Sequence, residues 1–307
     1  SEIVAQFRGE VGSALNLRIK KMSVTDTDSP VVQDIVIRRQ NITIESIRGD
    51  RRLPSGAWDW WLEGEPNIAY LRITYFSKQT GSQCFEILHD LINGNKKLKG
   101  LIIDLRGNAG GILEGGIAVC DLFLEDELIV AITNARTNDH SDRKQIQQEW
   151  TATQGQILEG VPIAILIDEF TASVSEVVAA CLQDHDRATI VGSRSFGNAS
   201  IQTTTALSSG PGAIRLTTNQ YQRPSGSRLN RLSTSQDTDA WGVRPNSSFA
   251  FSPTRQQLEN WISWRRERDL VLARQTHGIV DPGTLLPQHA DPVLGRSLTL
   301  FHSEERL

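Results

Sequence analysis

Apolar and polar positions alternate along two stretches near the N-terminus and then give way to unbroken apolar runs. Leu15, Leu17 and Ile19 alternate with polar residues, as do Ile35, Ile37 and, more loosely, Ile42 and Ile44, so two strands are predicted there. Ahead of them, Ile3, Val4 and Phe7 share the spacing of one side of a short helix that stops at Gly9. From residue 67 onward the pattern changes. Apolar runs predict strands at 69–73, 100–105, 128–133, 162–168 and 189–191, with helices between them at 83–91, 111–123 and 175–183. Short apolar strands separated by helices imply a mixed α/β fold whose mostly parallel sheet is covered on both faces. The stretch 134–160 reads as a polar, strand-poor surface excursion. Residues 201–220 return to alternating strands around the turn Ser208-Ser209-Gly210-Pro211-Gly212.

Four segments follow. Residues 1–48 form a small N-terminal piece, and 49–66 a turn-rich connector carrying Trp58, Trp60 and Trp61, read as packing between modules rather than a ligand platform. Residues 67–247 form the core, and 248–307 a helical extension. That extension holds a basic helix over about 255–275, with Leu258, Trp261, Ile262 and Leu272 on or near one side and its arginines on a solvated face.

Composition narrows the function classes. The 307 residues carry a net charge of -4, which argues against a nucleic-acid partner. No stretch approaches the ~18 uninterrupted apolar residues of a membrane span. The start shows no basic region leading into an apolar run, and the only Met is Met22. Cys84, Cys120 and Cys181 are scattered, without metal-binding spacing, and read as buried apolar residues; no cofactor or metal is expected.

Three segments run from an apolar strand into a turn of small residues. In Gly100-Leu-Ile-Ile-Asp-Leu-Arg-Gly-Asn-Ala-Gly-Gly111, glycines after a buried strand let backbone N–H groups face a crevice, which suits an oxyanion, although such glycines also serve turns alone. In the stretch from Val161 to Glu176, Ser173 sits between strand and helix. It reads either as a nucleophile at a helix N-terminus or as the cap of a box closed by Glu176. The third, Thr189 to Gln202, is a strand, a turn and a strand with nothing diagnostic.

Taken in order, GLIIDLRGNAGG, DEFTASVSEVVAACLQDHDRATIVG, FGNASIQ, LTTNQYQRPSG and WGVRPN resemble the carboxyl-terminal processing (tail-specific) serine peptidases of family S41, which use a Ser/Lys dyad. The resemblance implies a ClpP/crotonase-like core, and the opening EIVAQFRGEVGSALNLRIKK resembles the last third of the family's PDZ module. A partial module of this kind implies no grip on a C-terminus by residues 1–48 alone. The resemblance also implies polypeptide tails or unfolded protein as substrates and, for compartment, an extracytoplasmic location.

Residue by residue, Ser173 matches the nucleophile, Gly111 and Val174 the two oxyanion-hole N–H donors, and Gln202 the residue that orients the lysine. The lysine position itself holds Asn198, and Ala199 replaces the next glycine. Two changes in one turn favour divergence over a single engineered substitution. Asn has no basic nitrogen, so it cannot take the serine proton. No lysine follows Ser173 in the sequence, Arg194 stays protonated, and His185 lies some three helical turns away. His277, His289 and His302 fall in the tail. Three expectations result: a proteolytically impaired peptidase scaffold, an active tail-specific protease with another base, or a noncatalytic binder of peptides or hydrophobic ligands.

Overall fold

The computed structural model describes residues 2–21, 31–41, 45–134, 146–153, 155–208, 210, 212–270 and 290–303. The chain divides into two compact units, Ser1–Glu45 and Ser46–Leu307. In the first, helix α1 (Glu2–Phe7) precedes an antiparallel pair, β1 (Ala14–Lys21) and β2 (Val31–Arg38), in which Leu17 faces Ile35. Arg39 ties the helix to this hairpin by donating to the carbonyls of Gln6, Phe7 and Ala14. The looser pair Ile42 and Ile44 lies outside the described residues.

The second unit is built on a five-stranded sheet. Its elements in chain order are β3 (Ile47–Arg48), β4 (Arg51–Arg52), β5 (Trp58–Asp59), β6 (Ile68–Ile73), α2 (Thr80–Asn93), β7 (Gly100–Asp104), α3 (Leu113–Asp121), β8 (Leu128–Asn134), β9 (Ile146–Thr151), β10 (Ile163–Ile167), α4 (Val174–Asp184), β11 (Thr189–Gly192), β12 (Ser200–Ala206), β13 (Ala213–Gln222), α5 (Arg255–Asp269) and α6 (Pro292–Ser303). The sheet runs β11-β10-β7-β6-β3, parallel through its first four strands and closed by antiparallel β3. Every residue of β7 and β10 is buried, as strands covered on both faces require. Alternate residues divide between two cores. Leu101, Ile103, Ile163 and Ile165 pack with α2, α3 and α4, whereas Ile102, Ala164 and Leu166 pack against Leu294, Leu298 and Phe301 of α6.

Three expectations are corrected. Strand β8 is not in the parallel sheet; with β9, β12 and β13 it forms a separate antiparallel sheet, order β12-β13-β8-β9. The supposed excursion therefore contains β9, which is mostly exposed and carries no apolar alternation for a sequence reading to find. Helix α5 buries Trp264, Arg265 and Arg268 and leaves Ile262 exposed, so its arginines divide: Arg255 and Arg266 face solvent, whereas Arg265 and Arg268 do not. Their guanidiniums are offset by carboxylates across the helix: Arg268 pairs with Asp50 and, at 2.7 Å, with Glu63. Trp60 and Trp61 pack on the core of their own unit. Cys84, Cys120 and Cys181 are buried free thiols. No helix among the described residues is long and apolar enough to cross a membrane.

Candidate active site

All three turns meet at the ends of β7, β10 and β11. Thr171 joins them directly: its Oγ1 donates to the Leu105 carbonyl at 2.9 Å, and its own carbonyl accepts from Phe196 N–H at 2.9 Å. Asn108, fully buried, braces the first turn against the second. Its carbonyl accepts from Ala172 N–H, its Oδ1 from Gly110 N–H, and its amide donates to Ile73.

Ser173 has φ 58°, a left-handed conformation that a serine holds only where its surroundings enforce it. It precedes α4, whose first-turn N–H groups and positive dipole end face this position. Gly110 is the enforcing neighbour. At φ +103°, a Cβ placed there would lie 2.8 Å from Ser173 Cβ and 3.0 Å from Val174 N, so only glycine admits this approach. Gly111, at φ +149°, presses on Phe76, whose carbonyl accepts from Ile112 N–H at 2.8 Å. Neither Gly111 N–H nor Val174 N–H donates to a backbone carbonyl among the described residues. Two unspent N–H donors thus flank the serine from different segments.

Glu176 binds the serine turn to the turn of Asn198. Its Oε2 accepts from Ser173 N–H at 3.0 Å and from Asn198 N–H at 2.8 Å; Oε1 accepts from Ser195 Oγ at 2.6 Å and Gly197 N–H at 2.7 Å. Burial pushes this carboxyl up, against the pull of the four donors, which favour its anion. Ser195 Oγ in turn accepts from Val243 N–H at 2.7 Å, which brings in the WGV segment. Sequence reasoning gave Glu176 only a capping role and missed Gly110 and Asn108; the run of glycines and the S-x-x-E spacing were the available signals.

The Asn198 side chain is exposed, and its Oδ1 accepts from Ser200 Oγ at 2.8 Å. Gln202 lies on β12, just past an irregularity in strand pairing, with its side chain exposed. No hydrogen bond joins Gln202 to Asn198 among the described residues. Arg194 is spent on the carbonyls of Asp237, Asp239 and Trp241, and its guanidinium stacks 3.3 Å from the centre of the Trp241 ring. His185 is at the far end of α4, with Nε2 2.7 Å from the Leu128 carbonyl oxygen. His302, on α6, is 3.3 Å from Glu65; His277 and His289 lie outside the described residues.

The profile of Peptidase family S41 matches residues 67–245, which hold all three turns. The chain belongs to family S41. It is 33% identical over 273 residues to the carboxy-terminal-processing protease of Bartonella bacilliformis, covering 88% of this chain and 57% of that one. It is 30% identical to the carboxyl-terminal-processing protease of Picosynechococcus sp., covering 75% and 50% of the two chains. Among solved structures, the photosystem II D1 C-terminal processing protease superposes with a TM-score of 0.52 at 25% identity, over 80% of this chain and 57% of that one. The S41 chain described here therefore spans about half the length of these curated relatives.

Proposed function

We propose that this S41 chain handles the C-terminal tails of polypeptides, with Ser173 as nucleophile and with peptide-bond cleavage impaired by Asn198. In this reading Ser173 Oγ attacks the scissile carbonyl carbon. The carbonyl oxygen, becoming an oxyanion, accepts from Gly111 N–H and Val174 N–H, and the end of the α4 dipole favours the same charge. The serine proton needs an acceptor with a lone pair of sufficient basicity. An amide provides none near neutral pH, and the Asn198 amide oxygen already accepts from Ser200. The observation that carries the reading is the combination at one locus: a strained, donor-flanked serine tied through Glu176 to a turn that holds no base.

Loss of general-base assistance is worth about 10²–10⁴ in rate, while binding and oxyanion stabilisation remain. Labelling of Ser173 by a fluorophosphonate tests this. Slow labelling is expected of the protein as it is, and acceleration by about 10²–10⁴ in Asn198→Lys. Rapid labelling of the unsubstituted protein would overturn the impairment. An Asn198→Lys protein as slow as its parent would overturn Asn198 as the defect.

A further inference from the structure

Where the end of β13 meets the segment of Trp241, the chain encloses a pocket of about 340 Å³. Three local contacts build it. Gln222 and Arg228 bridge across the turn that follows β13, and Gly242 N–H donates to the Leu229 carbonyl at 2.8 Å. Gln183, in the last turn of α4, fastens the other segment: its amide donates to the Arg244 carbonyl at 2.8 Å and to Asn246 Oδ1 at 3.3 Å. Arg223, Arg228 and Arg244 are thereby brought into the walls of one pocket, together with the hydroxyls of Ser227 and Thr238. Ser173, Gly111 and Asn198 are not among those walls.

No carboxylate lines the pocket. Arg223 is matched all the same, since it donates to both oxygens of Asp184, at 2.5 and 2.9 Å. Arg228 and Arg244 are not matched. Arg228, half-buried, makes no side-chain hydrogen bond or ion pair among the described residues. Arg244 donates through Nη2 alone, to the backbone carbonyls of Asp237 and Asp239, which leaves Nε and Nη1 as donors. Asp237 and Asp239 themselves lie outside the walls, and Asp239 Oδ2 accepts from Gln236 N–H at 2.8 Å.

We infer that this pocket binds a phosphate dianion, free or as the end of a small monoester, between Arg228 and Arg244. A guanidinium with adjacent free N–H groups grips phosphate oxygens in a bidentate fork, and two positive charges match a dianion better than a single carboxylate. Ser227 and Thr238 add neutral hydroxyl donors. Ala240, Trp241 and Pro245 are the only apolar side chains in the walls, so an amphiphile with a long apolar body would find little to bury against. The pocket shares no wall with the Ser173 turn, and its occupancy can therefore be read without turnover.

Titration calorimetry at constant ionic strength, with inorganic phosphate, glucose 6-phosphate and acetate as probes, tests the assignment. Both phosphates are expected to bind saturably and about tenfold tighter than acetate, the equivalent of about 1.4 kcal/mol. Arg228→Gln and Arg244→Gln should each weaken phosphate by about tenfold. Ser227→Glu, which puts a carboxylate into the wall at an exposed residue, should abolish saturation, whereas Arg215→Gln, at an exposed arginine of β13 outside the pocket, should change nothing. Tighter binding of inorganic phosphate would assign the free ion, and tighter binding of the sugar phosphate the monoester. Acetate binding as tightly as either would overturn the dianion. Binding that survives Arg228→Gln and Ser227→Glu, or that falls as far in Arg215→Gln, would overturn the location. Failure of both phosphates to saturate would overturn the site itself.

Discussion

At the scale of single residues, Glu176 does the most to fix the geometry of the candidate active site. One buried carboxylate satisfies four donors drawn from two turns, and each buried donor left without a partner costs about 1–3 kcal/mol. Glu176→Ala is expected to lower stability by about 3 kcal/mol or more in denaturant unfolding. Labelling of Ser173 should fall with it, even in an Asn198→Lys background, because the two turns lose their shared acceptor. Unchanged labelling in the double variant would show that the turns hold their positions without it. Gly110 and Ser173 make a second pair of this kind. A glycine next to the expected Gly111 is visible in the sequence, but that its missing Cβ leaves room for Ser173 is a fact of two distant segments meeting.

At the scale of elements, helix α6 closes the second face of the parallel sheet. Its Phe301 lies against Gly100, where a Cβ would meet the ring at 2.5 Å, and Leu294 and Leu298 cover Ile102 and Leu166. Asp291, just ahead of the helix, holds Arg106 at 2.7 and 2.9 Å, while Asp104 holds the other side of the guanidinium. Removing one partner from a buried ion pair leaves uncompensated charge. Asp291→Ala is therefore expected to cost about 3 kcal/mol, with α6 the first element to lose amide protection in hydrogen exchange. Protection of α6 equal to that of β7 would contradict this. The sequence reading found the strands that α6 covers but not α6 itself, although Val293, Leu294, Leu298 and Phe301 have the spacing of one helix face.

At the scale of the whole molecule, buried carboxylates set how stability depends on pH. Burial opposes the Asp104 anion, yet the Arg106 guanidinium and the Tyr70 hydroxyl outweigh it and hold this carboxyl below its ordinary value. Its contribution to stability is then fully present above the unfolded value near 3.9, and is lost as pH falls through the folded one. Asp50, Asp168 and Glu176 have the opposite sign: burial raises them, so their share declines as pH rises through their folded values. Unfolding midpoints are expected to drop below about pH 4, and to drop less steeply in Asp104→Asn. Identical acid limbs for the two proteins would refute the assignment to Asp104.

The sequence by itself determined the strand–helix alternation, the burial of β7 and β10, and the family through its ordered motifs, because these rest on local periodicity and on the order of short segments. It also carried the expectation, by resemblance, that Asn198 stands at the position of a lysine. Only the tertiary structure decided that β8 leaves the parallel sheet, that α5 buries Arg265 and Arg268, and that Glu176 bridges two turns. Each of these depends on a partner far away in the chain: a strand to pair with, a carboxylate to neutralise a guanidinium, a donor to satisfy. Periodicity cannot name such partners, since it records which face of an element is apolar and not what that face will meet.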